Sequence, residues 1–135
     1  MKKVLYSLCF IFAISCSQHE SLVGQWEESE TDSLTTHKVV HTFYEDNTWM
    51  LKGWLTVHGQ KPTSDTLRYE YSGNWSEKDD LIIMDYKSMS INGSNFPSEG
   101  DKRVSFKITS MTNDKIEYYE IHDAQKTLKT LTRIE

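Results

Sequence analysis

The chain has 135 residues, with 20 acidic and 15 basic side chains, a formal net charge of −5 at pH 7 and only two cysteines. That balance excludes binding driven by a nucleic-acid backbone or by anionic lipid headgroups, both of which need an excess of Lys and Arg. The length suits one domain with a sizeable core that needs no disulfide.

In chain order, Lys2 and Lys3 make a positive start, and Val4 to Ile14 is an almost unbroken apolar run of 11 residues. A membrane-spanning helix needs about 20 apolar residues. The run instead has the length of a signal-peptide core, and small residues follow it. Residues 1–15 are therefore expected to be a signal peptide, outside the fold. Ala13-Ile14-Ser15-Cys16 resembles the lipobox of bacterial lipoproteins, which implies that Cys16 becomes lipidated and then the first mature residue. Thioether formation requires a thiol at that position, and the small Ser15 leaves the bond open to cleavage. Cys9 would leave with the signal peptide, so Cys16 would have no intrachain partner in an oxidising compartment. The mature chain would carry 13 basic against 20 acidic residues. Its acyl chains, not surface charge, would hold the membrane. Residues 16–21 read as the lipidated N-terminus and tether, and residues 22–135 as the folded domain. Nothing after Cys16 marks retention at the inner membrane, so the expected address is the outer membrane of a bacterial envelope.

From Leu22 onward, apolar residues recur with period two, and Tyr, Thr, Trp and Val are plentiful, both marks of strands. A short helical turn is expected around Glu20 to Val23. Eight strands follow, near 24–29, 36–44, 48–58, 66–75, 80–87, 103–110, 115–121 and 126–134. Long connections ("SETDSLT", "GQKPTSD", "SMSINGSNFPSEGD") alternate with tight ones ("EDN", "SEKD", "TND"). In an up-and-down meander this places the tight turns at one end and the long loops at the other. Eight such strands close into an antiparallel barrel, which removes exposed edges. The fold class is therefore all-β, and residues 88–101 are expected to form a long loop over the open end.

Folding the hairpin from Thr36 to His58 about Asp46 puts Val39, His41, Phe43, Trp49, Leu51, Leu55 and Val57 on one face. That face is the apolar one and should point inward. The same alternation turns Leu67, Tyr69, Tyr71, Trp75, Val104, Phe106 and Ile108 inward, and Trp54 outward with Tyr44 and Tyr119. The fifth strand, "LIIMDY", is apolar on both faces and has no clear inward side.

Five histidines raise a metal site. His37 and His41 lie four apart, however, and on a strand that separates them by about 13 Å. No histidine–carboxylate cluster has ligand spacing, so no metal and no cofactor are expected. Glycine-x-serine-x-glycine elbows, glycine-rich phosphate loops and metalloprotease helices are missing too, and the expectation is a protein that is not an enzyme. The acids Glu27, Glu28, Glu30 and Asp32 read as a solvated edge. The inward polar groups are the better clue. His37, His41, Tyr69, Tyr71 and Tyr118, with Leu55, suit the wall of a ligand cavity, which is mostly apolar with a few orienting polar groups. The same side chains also suit a filled core.

"LVGQWEE" carries Gly24-x-Trp26 at the start of the first strand, and "TRIE" places Arg133 at the end of the last. With "FYEDNTW" and "YSGNWSEKDDLIIM", this resembles the lipocalin-like domains of small bacterial lipoproteins. The resemblance covers nearly the whole mature chain. It implies a barrel whose floor is built from Gly24, Trp26 and Arg133, the arginine packing on the indole. It also implies a small hydrophobic or amphipathic ligand and no nucleic acid, with a membrane partner reached through the N-terminal lipid. The chain is shorter than typical lipocalins and lacks their usual disulfide and their threonine-aspartate-tyrosine motif, which implies a small or filled cavity. Avidin-like barrels begin in a similar way. A non-catalytic interaction module is the alternative, its loops or the face around Trp54 meeting a protein or glycan whose identity the residues do not give.

Overall fold

The computed structural model describes residues 21–59 and 66–134, and for residues 98–101 the backbone alone. The expected signal peptide, the lipidation at Cys16 and most of the connection "GQKPTSD" lie outside the described residues. The eight strands are β1 (Gly24–Thr31), β2 (Thr35–Phe43), β3 (Thr48–Val57), β4 (Thr66–Lys78), β5 (Leu81–Ile91), β6 (Ser94–Met111), β7 (Lys115–Glu120) and β8 (Lys129–Arg133). Each pairs antiparallel with the next, and β8 returns to β1 through Trp26 opposite Arg133, closing the barrel. The described strands all lie between Gly24 and Arg133, and among them the sheet closes on itself.

Three expectations need correction. No helical turn is present over Ser21–Val23. The connection expected to be long between β1 and β2 is three residues, 32–34. There the Asp32 carboxylate accepts from the backbone N–H groups of Leu34 (2.7 Å) and Thr35 (2.6 Å), folding the side chain into the turn. Residues 88–101 are not a loop over the open end. They belong to β5 and β6, which meet at the two-residue turn Asn92-Gly93. Both turn residues have positive φ, 49° and 82°, as a hairpin turn matched to strand twist requires. The Asn92 N–H donates to the Arg68 carbonyl on β4 at 2.8 Å, which ties the hairpin tip to the wall.

The interior divides along the barrel axis. The largest fully buried side chains are Leu22, Trp26, Trp49, Ile82, Met84 and Ile116. All of them lie near the ends of strands that meet the tight turns 44–47, 79–80 and 112–114. Burying each apolar side chain of this size contributes about 1.5–3 kcal/mol, so this half is the core. For β5 the structure resolves the inward side: Ile82 and Met84 are buried, Leu81 and Ile83 only partly. The floor is Arg133, whose guanidinium carbon lies 4.1 Å from the centre of the Trp26 ring. It donates to the carbonyls of Val23 (3.0 Å), Ser21 (2.7 Å) and Asn113. The Trp26 indole N–H donates to the Leu22 carbonyl at 2.7 Å. Gly24, with φ of 132°, starts β1 in a conformation that disfavours a side chain.

Candidate functional site

Toward the other end, packing gives way to polar and aromatic side chains. The register aligns Glu30, His37, Leu55 and Leu67 in one inner row, Val39, Gly53, Tyr69 and Ile91 in the next, and His41, Leu51, Tyr71, Met89 and Phe96 in a third. Leu67 and Val57 are exposed at the rim.

Three polar groupings occupy this interior. The first joins β1, β7 and β8. Glu28 is buried and accepts from the Tyr118 hydroxyl (2.6 Å) and the Lys129 ammonium (3.2 Å), one on each oxygen. Glu28 was expected at a solvated edge. Period two instead sets it on the inner face with Trp26, and Tyr118 and Lys129 supply the partners that a buried carboxylate needs. Burial, and then the Glu28 charge, hold the Tyr118 phenol protonated far above the usual tyrosine range. The second grouping is His37 with Tyr69, whose hydroxyl lies 2.5 Å from the imidazole Nε2. The third is His41, only 6% exposed, with no partner for Nδ1 among the described residues. Burial pushes its pKa down to about 4, against the opposing pull of Glu28. At neutral pH it is an uncharged imidazole stacked beside Phe43.

A ladder of aromatic rings then leads to an opening. Tyr69 meets Tyr71, Tyr71 meets Tyr86 and Tyr86 meets Trp49, all edge to face, with centroids 5.7, 5.3 and 5.0 Å apart. Past Tyr86 the ladder between β5 and β6 breaks. Tyr86 pairs with Lys102 and Ser88 pairs with Pro97, so residues 98–101 of β6 stand opposite Lys87 alone. This bulge widens the wall into a cleft of about 610 Å³, lined by Tyr71, Tyr86, Ser88, Met89, Phe96, Pro97, Lys102 and Val104. Bulges of this kind re-aim side chains and gather at functional sites. The volume is within the range of small-molecule pockets.

Of the residues expected to line a ligand, Tyr71 alone borders this cleft. His41 and Tyr118 are buried, His37 and Tyr69 bond to each other, and Leu55 is half-buried between His37 and Leu67 near the rim. Sequence reasoning missed Tyr86, Met89, Phe96 and Lys102. Three of the four stand in or beside a segment taken for a loop, and the Asn92-Gly93 pair was the signal that could have revealed the hairpin. Among the described residues no cluster of His, Cys, Asp and Glu could hold a metal ion. Compared with known proteins, the chain matches no family model and no curated relative.

Proposed function

We propose that the chain is a lipid-anchored protein of the bacterial envelope, lipocalin-like and non-enzymatic, whose barrel binds a small hydrophobic or amphipathic molecule. The cleft at the β5–β6 bulge carries this reading. It joins an apolar wall of Met89, Phe96, Pro97 and Val104 to a few polar groups, the composition that orients a ligand without reacting with it. The lipobox-like Ala13-Ile14-Ser15-Cys16 supports the anchor, and the Gly24–Trp26–Arg133 floor supports the lipocalin-like assignment.

Native mass spectrometry of the chain from Ser17, isolated gently from its host, tests the binding. An extra mass lost on denaturation is the expected result. A bare mass, with no uptake of added amphiphile, overturns it. Fractionation of a Cys16→Ala variant tests the anchor, with release from the membrane expected. Retention equal to the parent removes Cys16 as the anchor.

A second reading has its own observation. On the outer wall, Arg68 faces Trp54 across the β3–β4 ladder. Beside it lies a polar hollow of about 580 Å³, lined by Thr66, Arg68, Glu70, Ser90, Asn92 and Gly93. Small hydroxyl and amide groups next to an indole suit a glycan. Glycan-array binding lost in Trp54→Ala would favour this face, and binding unaffected by that change would dismiss it.

A further inference from the structure

The polar groups along the cleft are hydrogen-bond donors. Lys102 stands on the inner face of β6, opposite Tyr86, and borders the cleft. Among the described residues its ammonium makes no ion pair, while Lys38, Arg103, Lys107, Lys115 and Lys129 each have a carboxylate partner. Tyr71 and Tyr86 also border the cleft, and no side-chain hydrogen bond among the described residues engages either hydroxyl. Burial, with Tyr71 and then Glu120 adding to it, pushes the Tyr86 phenol up to about 12, so it keeps its proton and can donate. The remaining hydroxyl, that of Ser88, is bonded to Ser72 at 2.6 Å. Among the residues whose side chains are described, no carboxylate lines the cleft. The inner-face acids Glu28, Glu30 and Glu120 belong to β1 and β7.

We infer that the cleft selects an amphiphile with an anionic oxygen head, a carboxylate or a phosphate. Lys102 and the two phenol hydroxyls hold the head, while Met89, Phe96 and Val104 take the chain. The inference rests on the binding reading above and narrows its ligand class. An ammonium and two neutral O–H groups all present hydrogens, and their match is an acceptor with several lone pairs and a negative charge. A cationic head would meet Lys102 as a like charge, and a neutral alcohol would offer the ammonium an acceptor without an opposing charge. Apolar burial scales with chain area and is equal for ligands of one chain length, so comparing heads on one chain isolates this contribution.

The test is titration calorimetry at pH 7 on the chain lacking its first 16 residues, which keeps all eight described strands. The probes are octanoate, octyl phosphate, octanol and octylammonium. The expected result is that one or both anions bind about tenfold more tightly than octanol, the size of one charge-assisted contact at a partly solvated site. That preference should shrink as salt rises, because Lys102 is exposed. In Lys102→Met the anion-to-octanol ratio falls to about one. Octanoate ahead of octyl phosphate points to fatty acids, and the reverse order to phospholipid-type heads. If octanol binds and neither anion binds more tightly, or if the preference survives Lys102→Met, the inference is overturned and the binding reading stands. If no probe binds at all, both fall.

Discussion

The ring of Tyr69 lies over Gly53. A Cβ placed on Gly53 would come 2.0 Å from the Tyr69 Cζ atom. Two neighbouring strands thus share one inner position, glycine supplying the space and tyrosine the filling, and the same tyrosine reaches His37. Gly53→Ala is expected to displace the ring and cost about 1–3 kcal/mol, the usual range for overpacking. Urea unfolding measures the cost, and adding Tyr69→Leu should restore part of it because a smaller side chain leaves room. Gly73→Ala should cost more and admit no such rescue. Its Cβ would lie 1.8 Å from the Asp85 backbone oxygen, and a strand cannot step aside as a side chain can.

Arg133 contributes through contacts of two kinds, the Trp26 ring and three backbone carbonyls. Arg133→Lys keeps the charge and loses the planar fork, so it should behave much like Arg133→Ala. Both are expected to lower stability by about 2–4 kcal/mol, from the lost cation–π contact and the orphaned carbonyls. A lysine variant as stable as the parent would show that charge alone matters there.

The buried Glu28 carboxylate has Tyr118 on one oxygen and Lys129 on the other. Tyr118→Phe removes one donor to a charge and should cost about 1.5–3 kcal/mol. Glu28→Leu should also destabilise, leaving Tyr118 without its acceptor and Lys129 without its partner. The double change Glu28→Leu with Lys129→Met should cost less than the two single changes added together, because no unpaired charge remains. A thermodynamic cycle of the four proteins measures that coupling, and strict additivity would contradict the ion pair.

His41 makes stability depend on pH in a defined window. Its folded pKa is depressed to about 4 from an ordinary 6.5. The unfolded chain therefore binds a proton that the folded chain refuses between those values. The stabilisation is complete above about pH 6.5 and is lost as pH falls toward 4, by about 3 kcal/mol at 1.36 kcal/mol per pKa unit. His41→Leu should flatten the unfolding free energy between pH 7 and pH 4.5. The turn carboxylates Asp32, Asp46 and Asp123, held below the usual range by hydrogen bonds to backbone and hydroxyl groups, act in a separate window at lower pH.

Several parts of this architecture were legible in the residues, and the reasons are local. Period-two alternation in "HKVVHTF" and "TWMLKGWLTV" marks the inner face of β2 and β3, and the structure pairs those residues as a hairpin about Asp46. The eight strands and the closed meander follow from such runs and the turns between them. Residues 88–101 were misread because serine, asparagine and glycine look like loop by composition, yet Asn92-Gly93 is a turn between strands. Glu28 was misread because three other acids surround it in sequence, and its burial depends on Tyr118 and Lys129, 90 and 101 residues away.

What the sequence determined by itself is the part set by short-range chemistry: an apolar run with a cysteine at its end, strands by alternation, and a tryptophan and an arginine in the first and last strands. What only the tertiary structure decided is how the interior is shared. Closure of the barrel brings Arg133 over Trp26 and fills one half with core. The unequal spacing of β5 and β6 opens the wall at Tyr86 and Lys102. A bulge depends on how two strands match in register, and that relation belongs to the pair of strands rather than to either one.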